Sequence, residues 1–83
     1  MYRKFLITEE WYEEDVKDFG RCESVATCYG QLTPKKIDSI VKSMNKYSPF
    51  DYVDYQEFNT IEEYESHINR LKENGSQIKY MYN

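Results

Sequence analysis

Two stretches of the chain repeat apolar side chains every three or four residues, the period of an amphipathic helix. Thr33-Pro34 supplies an N-cap hydroxyl and a proline at the first helical position, which predicts a helix that runs to about Tyr47. Thr60 and Glu63 form a capping box that opens a second helix, which ends at Asn74-Gly75. The predicted apolar stripes are Ile37, Ile40, Val41, Met44 and Tyr47 in the first helix and Ile61, Tyr64, Ile68 and Leu71 in the second.

The acidic stretch after Thr8 is interpreted as a further helix, from Glu9 to Phe19, with Gly20 at the C-cap position. On a helical wheel its aromatic and apolar residues share one face. Several of its carboxylates lie four residues apart, and their repulsion weakens an isolated helix. The alternative is that residues 9–20 are not helical and that segments 2–12 and 21–29 form a hairpin.

Short apolar or aromatic runs separate these helices and are interpreted as strands: Arg3–Ile7, Ser24–Tyr29 (ended by Gly30), Tyr52–Phe58 and Gln77–Tyr82. The order βαβαβαβ predicts a single α/β (α+β) domain over residues 1–83, a small two-layer sandwich of about four strands and three helices. The alternative first segment gives the order ββαβαβ.

Composition makes the expected core thin. Leu, Ile, Val and Phe together supply 17 of the 83 residues, whereas tyrosine alone supplies nine. A tyrosine ring is apolar and its hydroxyl needs a single partner, so some tyrosines are expected to fill the core. The others are expected to form a contact surface, because tyrosine offers rigid area at low entropic cost.

Several classes of protein are not expected. The chain has no long apolar run and no charged region followed by an apolar one, so neither a membrane association nor export is predicted. The expected location is the cytoplasm. The four lysines of the helix after Pro34 are the only basic feature, and the rest of the chain is acidic, so direct nucleic-acid binding is not expected.

Candidates for catalysis are few. Cys22 and Cys28 are interpreted as reduced, partly buried thiols, since a zinc site needs four ligands and a disulfide needs an oxidising compartment. His67 is the only histidine, and Glu63 lies one helical turn before it as an expected exposed partner. The three glycines are isolated, so no phosphate-binding loop is present. We therefore predict no catalytic residue, no metal and no cofactor.

The distribution of acids is the most informative feature. Residues 9–18 contain six acids and one lysine, and residues 51–65 contain six acids and no base. One interpretation is a solvated surface that favours solubility. The other is an electrostatic docking surface for a basic protein, in which aromatic side chains act as anchors. Its predicted residues are Glu10, Trp11, Glu13, Glu14, Asp18, Asp51, Tyr52, Asp54, Tyr55, Glu57, Glu62 and Glu63.

On a helix, carboxylates four residues apart are spaced by about 6 Å, which approximates every second phosphate of a DNA strand. In overall character the chain resembles small acidic, tyrosine-rich proteins of bacteriophages and mobile elements, among them anti-CRISPR and anti-restriction proteins. The resemblance implies a non-catalytic DNA mimic that occupies the nucleic-acid-binding surface of a host defence protein.

Two alternatives belong to other classes. The chain is also interpretable as a module that sequesters a nucleotide or another small ligand at an oligomer interface, with the tyrosine-rich last strand pairing two copies as a homodimer. A regulator of transcription or an antitoxin-like partner needs the same acidic face.

Overall fold

The computed structural model describes residues 3–16 and 23–81. These residues form four strands, two α-helices and one 3₁₀ turn. In chain order they are β1 (Lys4–Trp11), the 3₁₀ turn (Glu13–Asp15), β2 (Val25–Leu32), α1 (Pro34–Tyr47), β3 (Tyr52–Phe58), α2 (Ile61–Glu73) and β4 (Gln77–Met81).

The strands form one mixed sheet in the order β3-β1-β2-β4. The central strands β1 and β2 are antiparallel, β3 pairs antiparallel with β1, and β4 pairs parallel with β2. The first two strands of the chain are therefore the inner ones, and the last two close the sheet on either side.

The two helices pack on opposite faces of this sheet. On what we call the α2 face, Ile7 of β1 and Cys28 of β2 are buried against Tyr64, Ile68 and Leu71 of α2. On the opposite α1 face, a second cluster is formed by Leu6, Leu32 and Ile37. The α/β class predicted from the sequence is confirmed, but the two-layer arrangement is wrong, because helices cover both faces of the sheet.

The helix predicted over Glu9–Phe19 is also wrong in its described part. Strand β1 continues to Trp11, a 3₁₀ turn follows, and residues 17–20 lie outside the described part of the chain. Leu6, Ile7 and Thr8 are buried in succession, since each face of β1 has a helix over it. The alternative hairpin is confirmed as the antiparallel pair β1–β2.

The two α-helices begin where their caps predict. The Thr33 hydroxyl accepts a hydrogen bond from the Lys36 N–H (3.3 Å), and the Thr60 hydroxyl accepts one from the Glu63 N–H (3.2 Å). Gly75 adopts a φ of 88°, which lets the chain leave α2 in the left-handed conformation that glycine favours. The sequence therefore determined both helix starts and the end of α2 by local chemistry.

Gly30 does not end β2, as the sequence predicted, but is an extra residue within it. Leu6 is opposite Tyr29 and Phe5 is opposite Gln31, so Gly30 forms a bulge. Because of this bulge, Tyr29 and Leu32 both contact the α1 face although they are three residues apart. In the described residues, neither helix has the length and apolar character needed to cross a membrane.

Candidate acidic docking surface

Strand pairing brings the two acidic segments side by side. In the β1–β3 register, Glu9 is opposite Asp54, and Trp11 is opposite Tyr52. These paired residues are more than 40 positions apart in the chain, so the two concentrations of charge become one surface only through this pairing. The juxtaposition was not part of the sequence prediction, which assigned residues 9–19 to a helix.

The contact between the segments continues beyond the end of the sheet. The Glu13 N–H donates a hydrogen bond to the Asp51 carboxylate (Oδ2, 2.8 Å). Glu13, Glu14 and Asp15 form the 3₁₀ turn, whose carboxylates extend the same end of the molecule. The backbone of one acidic segment thus partly offsets the charge of the other, which allows like charges to lie close together.

Aromatic rings line this end of the sheet. Trp11 stacks on Tyr52 with ring centroids 5.6 Å apart and an interplanar angle of 22°. Tyr12 contacts Phe50 with centroids 4.6 Å apart. Tyr52 keeps 44% of its surface exposed, so the stack supplies apolar area among the carboxylates.

Strand β3 presents acids on both sheet faces. Asp54 lies on the α2 face, opposite Glu9, whereas Glu57 lies on the α1 face, opposite Leu6. Tyr55 also lies on the α1 face and is 41% exposed. We define the acidic edge as the predicted residues brought together by β3 and the end of β1: Trp11, Glu13, Glu14, Asp51, Tyr52, Asp54, Tyr55 and Glu57.

Four predicted residues are not in this group. Glu62 and Glu63 occupy the first turn of α2, where their negative charges interact favourably with the positive end of the helix dipole. This turn follows the far end of β3, about 20 Å from Asp51 along the strand. Glu10 lies on the α1 face and accepts a hydrogen bond from the Ser48 hydroxyl. Asp18 lies outside the described residues. The helical row of carboxylates, on which the predicted 6 Å spacing depended, is absent from residues 9–16.

A second polar cluster lies on the α2 face. His67 lies beside Glu9, whose Oε2 is 3.9 Å from its Nε2, and not beside Glu63, which the sequence suggested as its partner. The Ser24 hydroxyl donates a hydrogen bond to the other carboxylate oxygen of Glu9 (Oε1, 3.5 Å). Burial raises the pKa of Glu9, and the Asp54 carboxylate raises it further, while the Ser24 hydrogen bond opposes the rise. Burial also lowers the pKa of His67, and Arg70 adds to that effect. The carboxylate lies between hydroxyl and imidazole, so this order does not let His67 take the Ser24 proton.

Cys28 is unsuited to nucleophilic chemistry. It is a free cysteine with no exposed surface, in the core between the sheet and α2. Burial raises the pKa of its thiol to about 11, so the thiol stays protonated near neutral pH. Cys22 lies outside the described residues. In the described ranges, no three His, Cys, Asp or Glu side chains are grouped in a way that could hold a metal ion.

A cleft of about 380 Å³ lies between α1 and the sheet. Its polar lining comes mainly from hydroxyl groups and is completed by one carboxylate and one ammonium group: Thr8, Glu10, Tyr29, Lys36, Ser39 and Ser43. Tyr29 hydrogen-bonds to Thr8, and burial raises the pKa of its phenol despite that bond. The cleft is suited to a small polar molecule rather than to a macromolecule.

One pattern in the sequence was not used in the prediction. Each of three consecutive triplets in residues 51–59 begins with an acid followed by an aromatic residue: Asp51-Tyr52, Asp54-Tyr55 and Glu57-Phe58. Because successive side chains of a strand point to opposite faces, a period of three places acidic and aromatic residues on both faces of the sheet. This repeat marks β3 as the organising element of the acidic edge.

Comparison of the chain with protein-family models, with curated proteins and with solved structures gives no match in any of the three.

Proposed function

We propose that this protein is a non-catalytic inhibitor that binds a basic, nucleic-acid-processing protein through the acidic edge. By this proposal its target belongs to the defence machinery of a bacterial cell, in whose cytoplasm the protein acts for a phage or mobile element. It occupies the positively charged surface that the target uses for nucleic acid, as anti-CRISPR and anti-restriction proteins do. No cofactor or bound nucleic acid is required.

The β1–β3 register is the observation that carries the proposal. It joins two acidic segments into one surface and places the Trp11–Tyr52 stack among the carboxylates. Residues 51–65 contain six acids and no base, so no cation within this segment offsets the negative charge of Asp51, Asp54 and Glu57. Such potentials steer association with a positively charged partner, and exposed aromatic rings supply contact area.

The test compares two charge-reversed triple variants. Asp51, Asp54 and Glu57 become lysine in the first variant, and Glu62, Glu63 and Glu65 become lysine in the second. Both change the net charge equally, but only the first alters the acidic edge. Each protein is immobilised and exposed to bacterial lysate, and captured proteins are measured by mass spectrometry.

We expect the wild type and the α2 variant to capture nucleic-acid-binding proteins that duplex DNA displaces, and the edge variant to lose them. Capture should also weaken steeply with added salt, since exposed charges are screened beyond about 10 Å at 0.1 M. Equal capture by all three proteins would contradict the proposal, as would complexes that neither salt nor DNA disturbs.

The cleft under α1 favours a second candidate, a module that sequesters a small polar ligand such as a nucleotide. Its hydroxyl-rich lining and Lys36 suit ribose and phosphate groups. A thermal-shift screen against nucleotides discriminates between the candidates. A large shift that Lys36→Ala and Ser43→Ala remove would favour this module, whereas unchanged melting temperatures would leave the inhibitor as the better explanation.

A further inference from the structure

The outer side of β3 is an open sheet edge. In the sheet order β3 comes first and pairs only with β1, so no described strand lies on its other side. Five of its seven residues are exposed. Sheet edges are usually protected by charged side chains, above all lysine, or by proline or a bulge. Tyr52–Phe58 contains no lysine or proline, and its pairing with β1 runs without a register shift, so its only protecting groups of this kind are the carboxylates of Asp54 and Glu57.

One backbone amide on this edge is hydrogen-bonded to a side-chain carboxylate. The Tyr55 N–H donates to the side chain of the preceding Asp54 (Oδ1, 2.8 Å). Because β1 occupies the inner side of β3, the carboxylate can reach this N–H only if the amide points outward. Amides on the same side recur at every second residue, so Val53 and Glu57 also direct their backbone groups outward.

The charges on this edge select what can pair with it. A second β3 would bring further carboxylates and no cation to this edge, so charge repulsion opposes self-association through this strand. Asp54 and Glu57 are three residues apart and lie on opposite faces. A complementary strand therefore needs two cations with the same odd spacing, one for each face.

We infer that β3 receives an extended basic segment of the partner as an added strand, with two lysine or arginine side chains three residues apart, one opposite Asp54 and the other opposite Glu57. The inference rests on the proposed function and specifies how the partner is bound. The first cation draws the Asp54 carboxylate away from the Tyr55 N–H, and that amide then hydrogen-bonds to the added strand.

Aromatic rings support both cation positions. Tyr52 shares the α2 face with Asp54, and Tyr55 shares the α1 face with Glu57, each two residues before the acid. Each cation therefore meets a carboxylate and the ring of an exposed tyrosine, a combination that attracts lysine and arginine more than either group alone. The other edge strand, β4, has Lys79 at its centre and no acid, so it does not offer this combination.

The test uses synthetic peptides of about eight residues and the full chain. One peptide is threonine- and valine-rich with two lysines three positions apart, and a second has the same composition with the lysines two positions apart. A third repeats the first with N-methyl groups on alternate backbone amides along one edge, and a fourth has them on the opposite edge. Affinities come from fluorescence anisotropy at low salt, and the contact site comes from NMR amide shifts.

We expect the first peptide to bind about fivefold more tightly than the second, the factor that one cross-strand ion pair supplies. One of the two N-methylated peptides should lose about tenfold or more in affinity, because strand addition depends on main-chain hydrogen bonds. The amides of Val53, Tyr55 and Glu57 should shift. Tyr55→Pro, which removes the Tyr55 N–H together with its ring, should weaken binding similarly, and clearly more than Tyr55→Ala, which removes the ring and keeps the N–H.

The outcomes separate this inference from the proposed function. Equal binding by all four peptides, with unchanged salt dependence, would overturn strand addition while leaving the acidic edge as a docking surface. Failure of all peptides would also overturn strand addition, and the lysate experiment would then decide the proposed function by itself. A concentration-dependent dimer that Tyr55→Pro abolishes would identify a second copy of this chain as the occupant and overturn the inference.

Discussion

Strands β1 and β3 are hydrogen-bonded neighbours in opposite environments. Leu6, Ile7 and Thr8 of β1 are at most 2% exposed, because a helix lies over each face of the strand. No residue of β3 is buried. The difference appears within single rungs of the ladder, where buried Leu6 is directly opposite exposed Glu57.

The two strands therefore have different roles in the sheet. β1 contributes to both cores, whereas β3 packs against the core of the α2 face through Phe58 and otherwise presents mainly charged and aromatic side chains to solvent. A binding surface built on an edge strand is positioned by a rigid neighbour, yet its side chains can change with little effect on the core. The following substitutions test this division, in order of decreasing expected effect.

The largest effect is expected from the rung that joins the two environments. Leu6→Ala should lower the free energy of unfolding by about 2–5 kcal/mol, because it removes a side chain buried beneath α1. The matched substitution Glu57→Ala, at the opposite position, should change it by less than about 0.5 kcal/mol. Urea denaturation followed by circular dichroism measures both, and similar losses would show that β3 contributes to the core.

An intermediate effect is expected where the strands meet through aromatic rings. Tyr52→Ala removes the stack on Trp11 and should cost about 0.5–1.5 kcal/mol of stability. Tyr47 is 70% exposed at the end of α1, so Tyr47→Ala provides a tyrosine control with an expected loss below about 0.5 kcal/mol. If Tyr52→Ala were the more stable of the two variants, the stack would have no structural role.

The smallest effect is expected at Glu9, where the environments meet electrostatically. Its pKa is raised by burial and by Asp54, so the folded protein holds this proton more tightly than the unfolded chain. The resulting stabilisation is present below the usual pKa of 4.5 and is lost as pH rises through the raised folded value. Glu9→Gln should therefore raise the urea midpoint at pH 7, and its advantage should shrink towards pH 4.

Glu57→Gln controls for the loss of one negative charge, because its side chain is exposed. A Glu9→Gln midpoint below that of the wild type at pH 7 would mean that the charged carboxylate stabilises the fold. Its proximity to His67 would then outweigh its burial.

The sequence predicted α1 and α2 well because their ends are encoded locally. Thr33-Pro34, Thr60 with Glu63, and Asn74-Gly75 each act within one helical turn, and the structure shows the caps in place. The strand predicted at Arg3–Ile7 is confirmed as the start of β1, but the helix predicted after Thr8 was wrong, because pairing with distant residues extends β1 to Trp11. Its apolar run from Phe5 to Ile7 was itself the indication of a strand covered on both faces.

The acidic edge was predictable in composition but not in assembly. Eight of the twelve predicted residues form the acidic edge, where two segments distant in sequence meet. The register between those segments depends on pairing that no local signal encodes. Glu62 and Glu63 were included because they are close in sequence to the acids of β3. The length of β3 separates them in space, since α2 begins beyond the end of that strand.

The sheet order also governs what a growing chain exposes during synthesis. The inner strands β1 and β2 leave the ribosome first, whereas β3 and β4, which close the two sides, follow later. The nascent hairpin therefore has two open edges, and its apolar faces stay uncovered until α1 and α2 have been synthesised. Unpaired edges and uncovered apolar faces promote aggregation. In this protein, the carboxylates at the end of β1 are synthesised with the hairpin, so nascent hairpins carry like charges that repel one another before the sheet is complete.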